Sequence, residues 1–152
     1  MQAVELTLRP ARPGDASAVA DVFLSARAEA MAYLPSSHSR SEIRAWIRDV
    51  VLASQEVIVA EVEGRPVGFA ALDGGLLAHL YVHPDLQRRG VGSALLARVQ
   101  TLRPDGFRLW VFQRNTDARR FYERRGLSLV KVTDGAGNEE REPDALYSWS
   151  RS

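Results

Sequence analysis

Between His79 and Ala97 the chain changes its pattern twice within a few residues, and this fixes a strand, a glycine loop and a helix in immediate succession. His79-Leu80-Tyr81-Val82-His83-Pro84 reads as a strand, Gln87-Arg88-Arg89-Gly90-Val91-Gly92 as the loop, and Ser93-Ala94-Leu95-Leu96-Ala97 as the opening of the helix. Any fold containing this unit must set a helix N-terminus beside the end of a strand. The first helical turn has N–H groups without intrahelical partners and the positive end of the macrodipole, so a phosphate is stabilised there. Gly90 and Gly92 admit close backbone approach, while Arg88 and Arg89 add fixed charge in a fork that matches phosphate oxygens. Gln87, Arg88, Arg89, Gly90, Val91, Gly92 and Ser93 are therefore candidate contacts for a phosphorylated cofactor. The plainer alternative is a strand-to-helix turn with solvated arginines.

Two of the glycine loops that bind phosphates fail here on spacing. A P-loop needs Lys-Ser/Thr after its last glycine, where this chain has Ser93-Ala94, and a dinucleotide fingerprint needs a small residue where it has Leu95. The remaining pattern, Gln-x-x-Gly-x-Gly after a strand, resembles the pyrophosphate motif with which the GNAT acetyltransferases hold acetyl-coenzyme A. A second stretch, Asn115-Thr116-Asp117-Ala118-Arg119-Arg120-Phe121-Tyr122-Glu123-Arg124-Arg125-Gly126, resembles that family's later Asn-x-x-Ala-x-x-Phe-Tyr-x-x-x-Gly helix. It lies at the expected distance downstream. The resemblance runs from Leu77 to Leu129, and over the N-terminal third only the order of elements agrees.

A chain of 152 residues without repeats, low-complexity tracts or a linker-like stretch is read as one domain, 1–152, able to bury a substantial core. Its 20 basic and 19 acidic residues leave a formal charge of +1, which lacks the excess expected of a nucleic-acid binder. No apolar run approaches bilayer length and the N-terminus has no basic, then apolar, leader, so no membrane partner is expected and the expectation is a cytoplasmic protein. The absence of cysteine excludes disulfides, thiolate metal sites and a cysteine acyl-enzyme, and no metal is expected.

Val4 to Arg9 reads as the first strand. Asp15 is the expected N-cap of a helix with Val19, Val22, Phe23, Ala26 and Ala30 on one face, ended by Pro35. Ser39-Arg40-Ser41-Glu42 is a capping box before a second helix with Ile43, Trp46, Ile47, Val50 and Val51 at helical spacing. Strands at Val57–Ala60 and Val67–Leu72 are joined through Glu63-Gly64-Arg65-Pro66, and Asp73-Gly74-Gly75 turns into the motif strand, giving an antiparallel meander. The helix after Gly92 buries Val91, Leu95, Leu96, Val99 and Leu102. Pro104-Asp105-Gly106 then returns the chain to a strand from Phe107 to Phe112, parallel to the motif strand. Gly126 ends the next helix as its C′ residue, and strands follow near Leu127–Thr133 and Ala145–Trp149. The order β-α-α-β-β-β-α-β-α-β-β is that of the resembled family. The fold class expected is α/β of the α+β kind: a mixed, mostly antiparallel central sheet with a splayed parallel strand pair and flanking helices.

The resemblance implies roles for individual residues. The pantetheine arm would bond the backbone of Leu80, Tyr81 and Val82, with the Leu80 N–H as oxyanion donor to the acetyl carbonyl. Tyr122 falls on the family's tyrosine position as general acid to the leaving thiolate, against a core tyrosine on spacing alone. Asn115 would face the pantetheine as well as cap its helix, and Phe121 would pack beside it. For the base, His79 shares a face with Tyr81 and His83 in regular pleating, and is a weak candidate beside an ordered water chain.

The acceptor side would be built from the first two helices and the loop between the last strands. Tyr33 and His38 in the interhelical segment, and Glu139 and Glu140 in the last loop, are its weak candidates. Implied is an acetyl-CoA-dependent N-acetyltransferase acting through a ternary complex on a small-molecule or peptide amine. A coenzyme-A-binding sensor without turnover is the alternative, and a homodimer is left open.

Overall fold

A computed structural model describes residues 5–34 and 38–151. One seven-stranded sheet runs in the order β1-β2-β3-β4-β5-β7-β6, with β1 at Thr7–Pro10, β2 at Glu56–Val62, β3 at Arg65–Asp73, β4 at Leu76–Val82, β5 at Phe107–Phe112, β6 at Ser128–Val132 and β7 at Asp144–Trp149. All neighbours are antiparallel except β4 and β5, as the connection through a helix requires. The β2–β3 turn is tighter than expected. Glu63 and Gly64 both adopt positive φ, 52° and 76°, so the strands close over two residues and Arg65 and Pro66 already belong to β3.

Helix α1 (Ala16–Ala30) and α2 (Arg40–Trp46) cover one face, where Val19, Val22, Phe23 and Ile47 pack on Val57, Val59, Phe69 and Ala71. Helix α4 (Val91–Leu102) and α5 (Thr116–Arg124) cover the other. There Leu95, Leu96, Val99 and Tyr122 meet Ala70, Leu72, Leu109 and Tyr147. A 3-10 turn at Pro13–Asp15 precedes α1, so Asp15 has helical backbone and does not cap with its side chain. Its carboxylate instead accepts from the Arg9 guanidinium at 2.8 and 2.9 Å, and Arg9 also reaches Glu61 at 3.0 Å. Ala30 is exposed, and Met31 at the C-cap takes the buried position at that end. Pro35 lies outside the described residues.

The capping box is present as expected, Ser39 and Glu42 bonding each other's backbone N–H. The helix it starts is not uniform. Leu52 N–H bonds back to Ile47 O, five residues earlier, making a π turn at Ile47–Val51 before the short α3 (Leu52–Ser54). The wider turn keeps Ile47 and Val51 in the core and rotates Val50 out, where it is 46% exposed.

The feature that builds the site is a β-bulge. Ala71 pairs with His79 but Leu72 with Leu77, so Ala78 is an extra residue in β4. Leu77 therefore packs on the α4 side while His79 and Tyr81 face α1 and Leu80 and Val82 face α4. The bulged strand bends, and β4 meets β5 only at Leu76 and Arg108 before the two part.

Candidate active site

The parting strands open a cleft of about 1730 Å³ between α1, β4, β5, α5 and the β6–β7 loop. His83 N–H donates to Val67 O at 2.8 Å, which fixes the phase of the antiparallel bonds between β3 and β4. By that alternation His79 and Tyr81 exchange backbone bonds with β3, whereas Leu80 and Val82 turn their N–H and C=O groups toward the cleft. Of the three residues expected to offer backbone to a pantetheine, Tyr81 is thus committed elsewhere. His83 lies one residue beyond β4, and its Nδ1 accepts from Asp85 N–H at 3.2 Å.

At one end of the cleft stands the α4 N-terminus. Gly90 is its N-cap with φ 84°, no side chain caps the first turn, and a Cβ at Gly90 would meet nothing within 4 Å. Arg88 also has left-handed backbone, φ 64°, and the change of hand between successive residues is that of an anion-binding nest. At Gly92 a Cβ would lie 3.4 Å from the Phe121 ring and 3.7 Å from Val82, in ordinary contact with both, so α5 and β4 leave room there for no more than a small side chain. Gln87, Arg88, Gly90, Gly92 and Ser93 line the cleft. Arg89 is exposed and does not line it, and the Val91 side chain is buried in the core, leaving only its backbone. Gln87 Nε2 reaches the Val82 carbonyl at 3.4 Å, tying the loop to the strand.

Arg125 is the residue that sequence reasoning missed. It stacks 3.9 Å from the Phe121 ring centroid, bonds the Phe121 carbonyl, and donates to Ser93 Oγ, which brings a guanidinium to the first turn of α4. The only hint in the sequence is its position four residues after Phe121. Asn115 caps α5 by accepting from Ala118 N–H at 3.3 Å and also lines the cleft. Tyr122, one residue beyond Phe121 and edge-on to it, is buried on the cleft wall, and burial pushes its hydroxyl well above the ordinary tyrosine range.

His79 sits on the other face among Phe23, Trp46, Phe69 and Tyr81, with ring centroids 5.2 to 6.3 Å away. Burial, assisted by the Arg27 charge, lowers its pKa to about 4. His79 also lines the cleft, as a ring neutral near pH 7 and only weakly basic.

The expected acceptor residues are drawn together but not all into the cleft. His38 Nε2 lies 2.7 Å from Glu139 Oε1, joining the interhelical segment to the β6–β7 loop, and the carboxylate raises the His38 pKa. Glu140 lines the cleft and pairs with Arg27 at 3.6 Å, while Arg27 also donates to the Tyr81 hydroxyl at 3.2 Å. Tyr33 lies under the Arg114 guanidinium, 4.5 Å from its ring centroid, with its hydroxyl buried. Desolvation and the neighbouring Glu142 raise the Tyr33 pKa. Arg114 grips Glu142 with two bonds of 3.1 and 3.0 Å. Among the described residues no helix is long and apolar enough to cross a membrane.

Comparison with known proteins bears on the whole of this arrangement. The family described as acetyltransferase (GNAT) domain matches residues 53–126. The peptidyl-lysine N-acetyltransferase YiaC of Escherichia coli is 31% identical over 144 residues, covering 93% of this chain and 95% of that protein. A GCN5-related N-acetyltransferase from Rhodopseudomonas palustris superposes with a TM-score of 0.80 at 25% identity, over 99% of both chains. The PaiA N-acetyltransferase of Thermoplasma acidophilum, solved in complex with coenzyme A, superposes at 0.73 with 18% identity, over 97% of this chain and 99% of that one.

Proposed function

Because the chain belongs to the GNAT N-acetyltransferase superfamily, and so to the acetyl-CoA acyltransferases, we propose that it moves an acetyl group directly to a primary amine of a peptide or small molecule through a ternary complex. The observation that carries this reading is the wedge after Leu76 and Arg108, with the outward Leu80 N–H on one side and Tyr122 on the other wall. Acetyl-coenzyme A supplies an acyl group already activated as a thioester, so no protein nucleophile is required. The residues present fit such a co-substrate: uncapped amides at the α4 start and Arg125 suit a pyrophosphate, and the cleft-facing backbone of Leu80 with the Val82 N–H suits the amide-bearing arm.

In this reading the Leu80 N–H donates to the acyl oxygen and stabilises the charge that develops there. Tyr122 holds its proton, because burial disfavours the phenolate, and delivers it to the departing sulfur as the C–S bond breaks; the acceptor amine gives up its proton to solvent, from which the phenolate is reprotonated. Both the Arg88–Ser93 amides and Arg125 hold the far end. The test is a calorimetric titration with coenzyme A followed by thiol release from acetyl-CoA against an amine panel. Saturable binding with amine-dependent release is expected. Binding without release on any amine would favour a coenzyme-A sensor instead.

A further inference from the structure

Three acidic side chains are buried among the described residues: Asp15, Glu142 and Asp144, at 8%, 7% and 9% exposure. A carboxylate removed from water is costly unless a cation or several hydrogen bonds compensate it. Asp15 has Arg9, and Glu142 has the two-pronged Arg114. Asp144 has no cation within 4 Å among the described residues; it accepts only from the Thr133 hydroxyl and from Asn138 Nδ2, the latter at 3.1 Å. It is also a cleft residue. Asp144 opens β7 opposite Phe112, where β5 has diverged furthest from β4, and Thr133, Asn138 and Asp144 all line the opening.

The charge around it is asymmetric. Arg27 and Arg114, the guanidinium groups at this end, are engaged by Glu140 and Glu142, and Lys131 sits over the exposed Trp110 ring at 5.7 Å. A substrate carboxylate would find these guanidinium groups already paired, whereas a substrate cation would find one carboxylate without a counter-charge. Resting on the acetyltransferase reading above, we propose that Asp144 seats the ammonium group of the acceptor, and that the acceptor is an alkylammonium without a neighbouring carboxylate, as on a lysine side chain within a peptide.

The test uses the coenzyme A complex of the full chain and two probes, Nα-acetyl-lysine methylamide and leucine, with binding read by calorimetry. Wild type should take the lysine probe in preference to leucine. Asp144→Asn keeps the shape and removes the charge, so it should weaken the lysine probe at least about tenfold while leaving coenzyme A affinity in place. Thr133→Val removes one of the two hydrogen bonds to the carboxylate and keeps the charge, and should cost within about threefold. Equal losses in the two variants, an unchanged Asp144→Asn, or a preference for leucine each overturn the proposal. Thiol release from acetyl-CoA is followed in parallel on wild type. Asp144-dependent binding without release would leave the ammonium seat standing and remove the transferase reading.

Discussion

Burial acts in opposite senses on two titratable rings of the cleft wall, His79 on β4 and Tyr122 on α5. It raises the Tyr122 hydroxyl and lowers the His79 imidazole to about 4, so both are neutral at pH 7, one as a retained acid and the other as a silenced base. If Tyr122 protonates the leaving thiolate, Tyr122→Phe should lower the single-turnover rate by about 10²-fold with little change in coenzyme A affinity. An unaltered rate and pH profile would return Tyr122 to packing and pass the proton to water. His79 carries a stability consequence. Its unfolded form takes up a proton near pH 6.5 and its folded form only near about 4. The contribution is therefore complete above pH 6.5 and is lost as the pH falls from there toward 4, by up to about 3 kcal/mol. Denaturation of His79→Phe between pH 7 and 4 should show a flatter dependence than wild type, and identical slopes would contradict the burial argument. That Tyr122, Asn115 and the glycine loop gather around one cleft was legible because each sits in a motif of recognisable spacing. Arg125 and Asp144 were not, since their significance comes from partners 32 and 11 residues away in sequence, Ser93 and Thr133.

At the scale of elements, Gly92 sits where α4, α5 and β4 meet. A Cβ there would be in ordinary contact with the Phe121 ring, and it is the two γ-methyls of a valine that would have to push that ring aside, so Gly92→Val should spread α4 from α5. The expected result is a loss of about 1–3 kcal/mol in chemical denaturation together with weaker coenzyme A binding by calorimetry. Native affinity in the folded variant would show that the amide cradle tolerates the displacement. The element order and the parallel neighbour were readable because apolar spacing and glycine turns are local signals. The π turn was not: Ile43, Trp46, Ile47, Val50 and Val51 fit a regular helix equally well, and only the sheet beneath them favours the wider turn that exposes Val50. Bulged pairing at Ala78 was hidden for the same reason, because it depends on which residue of β3 lies opposite.

For the molecule as a whole, the two helical layers divide the labour across the sheet. The α4 start brings backbone amides, and the end of α5 brings Arg125, to one end of the cleft, while Arg27 of α1, Glu140 of the β6–β7 loop and Asp144 at the start of β7 stand at the other. Donor and acceptor would then enter from different sides and be present together, and a chain without cysteine has no thiol to carry the acyl group between them. Initial-rate plots against both substrates should intersect, and parallel lines with an acetylated protein isolated in the absence of amine would contradict direct transfer. The bulge at Ala78 adds a constraint on how this chain can change over generations. In the reading proposed above, Leu80 and the α4 amides would have to match the two ends of a ligand of set length, which would make the stretch from Ala78 to Ser93 a gauge block: gaining or losing one residue there would put the thioester out of register with its donor. The turn at Pro104–Gly106 carries no such measure toward the pyrophosphate, so inherited length variation would fall there and substitution without length change in the gauge.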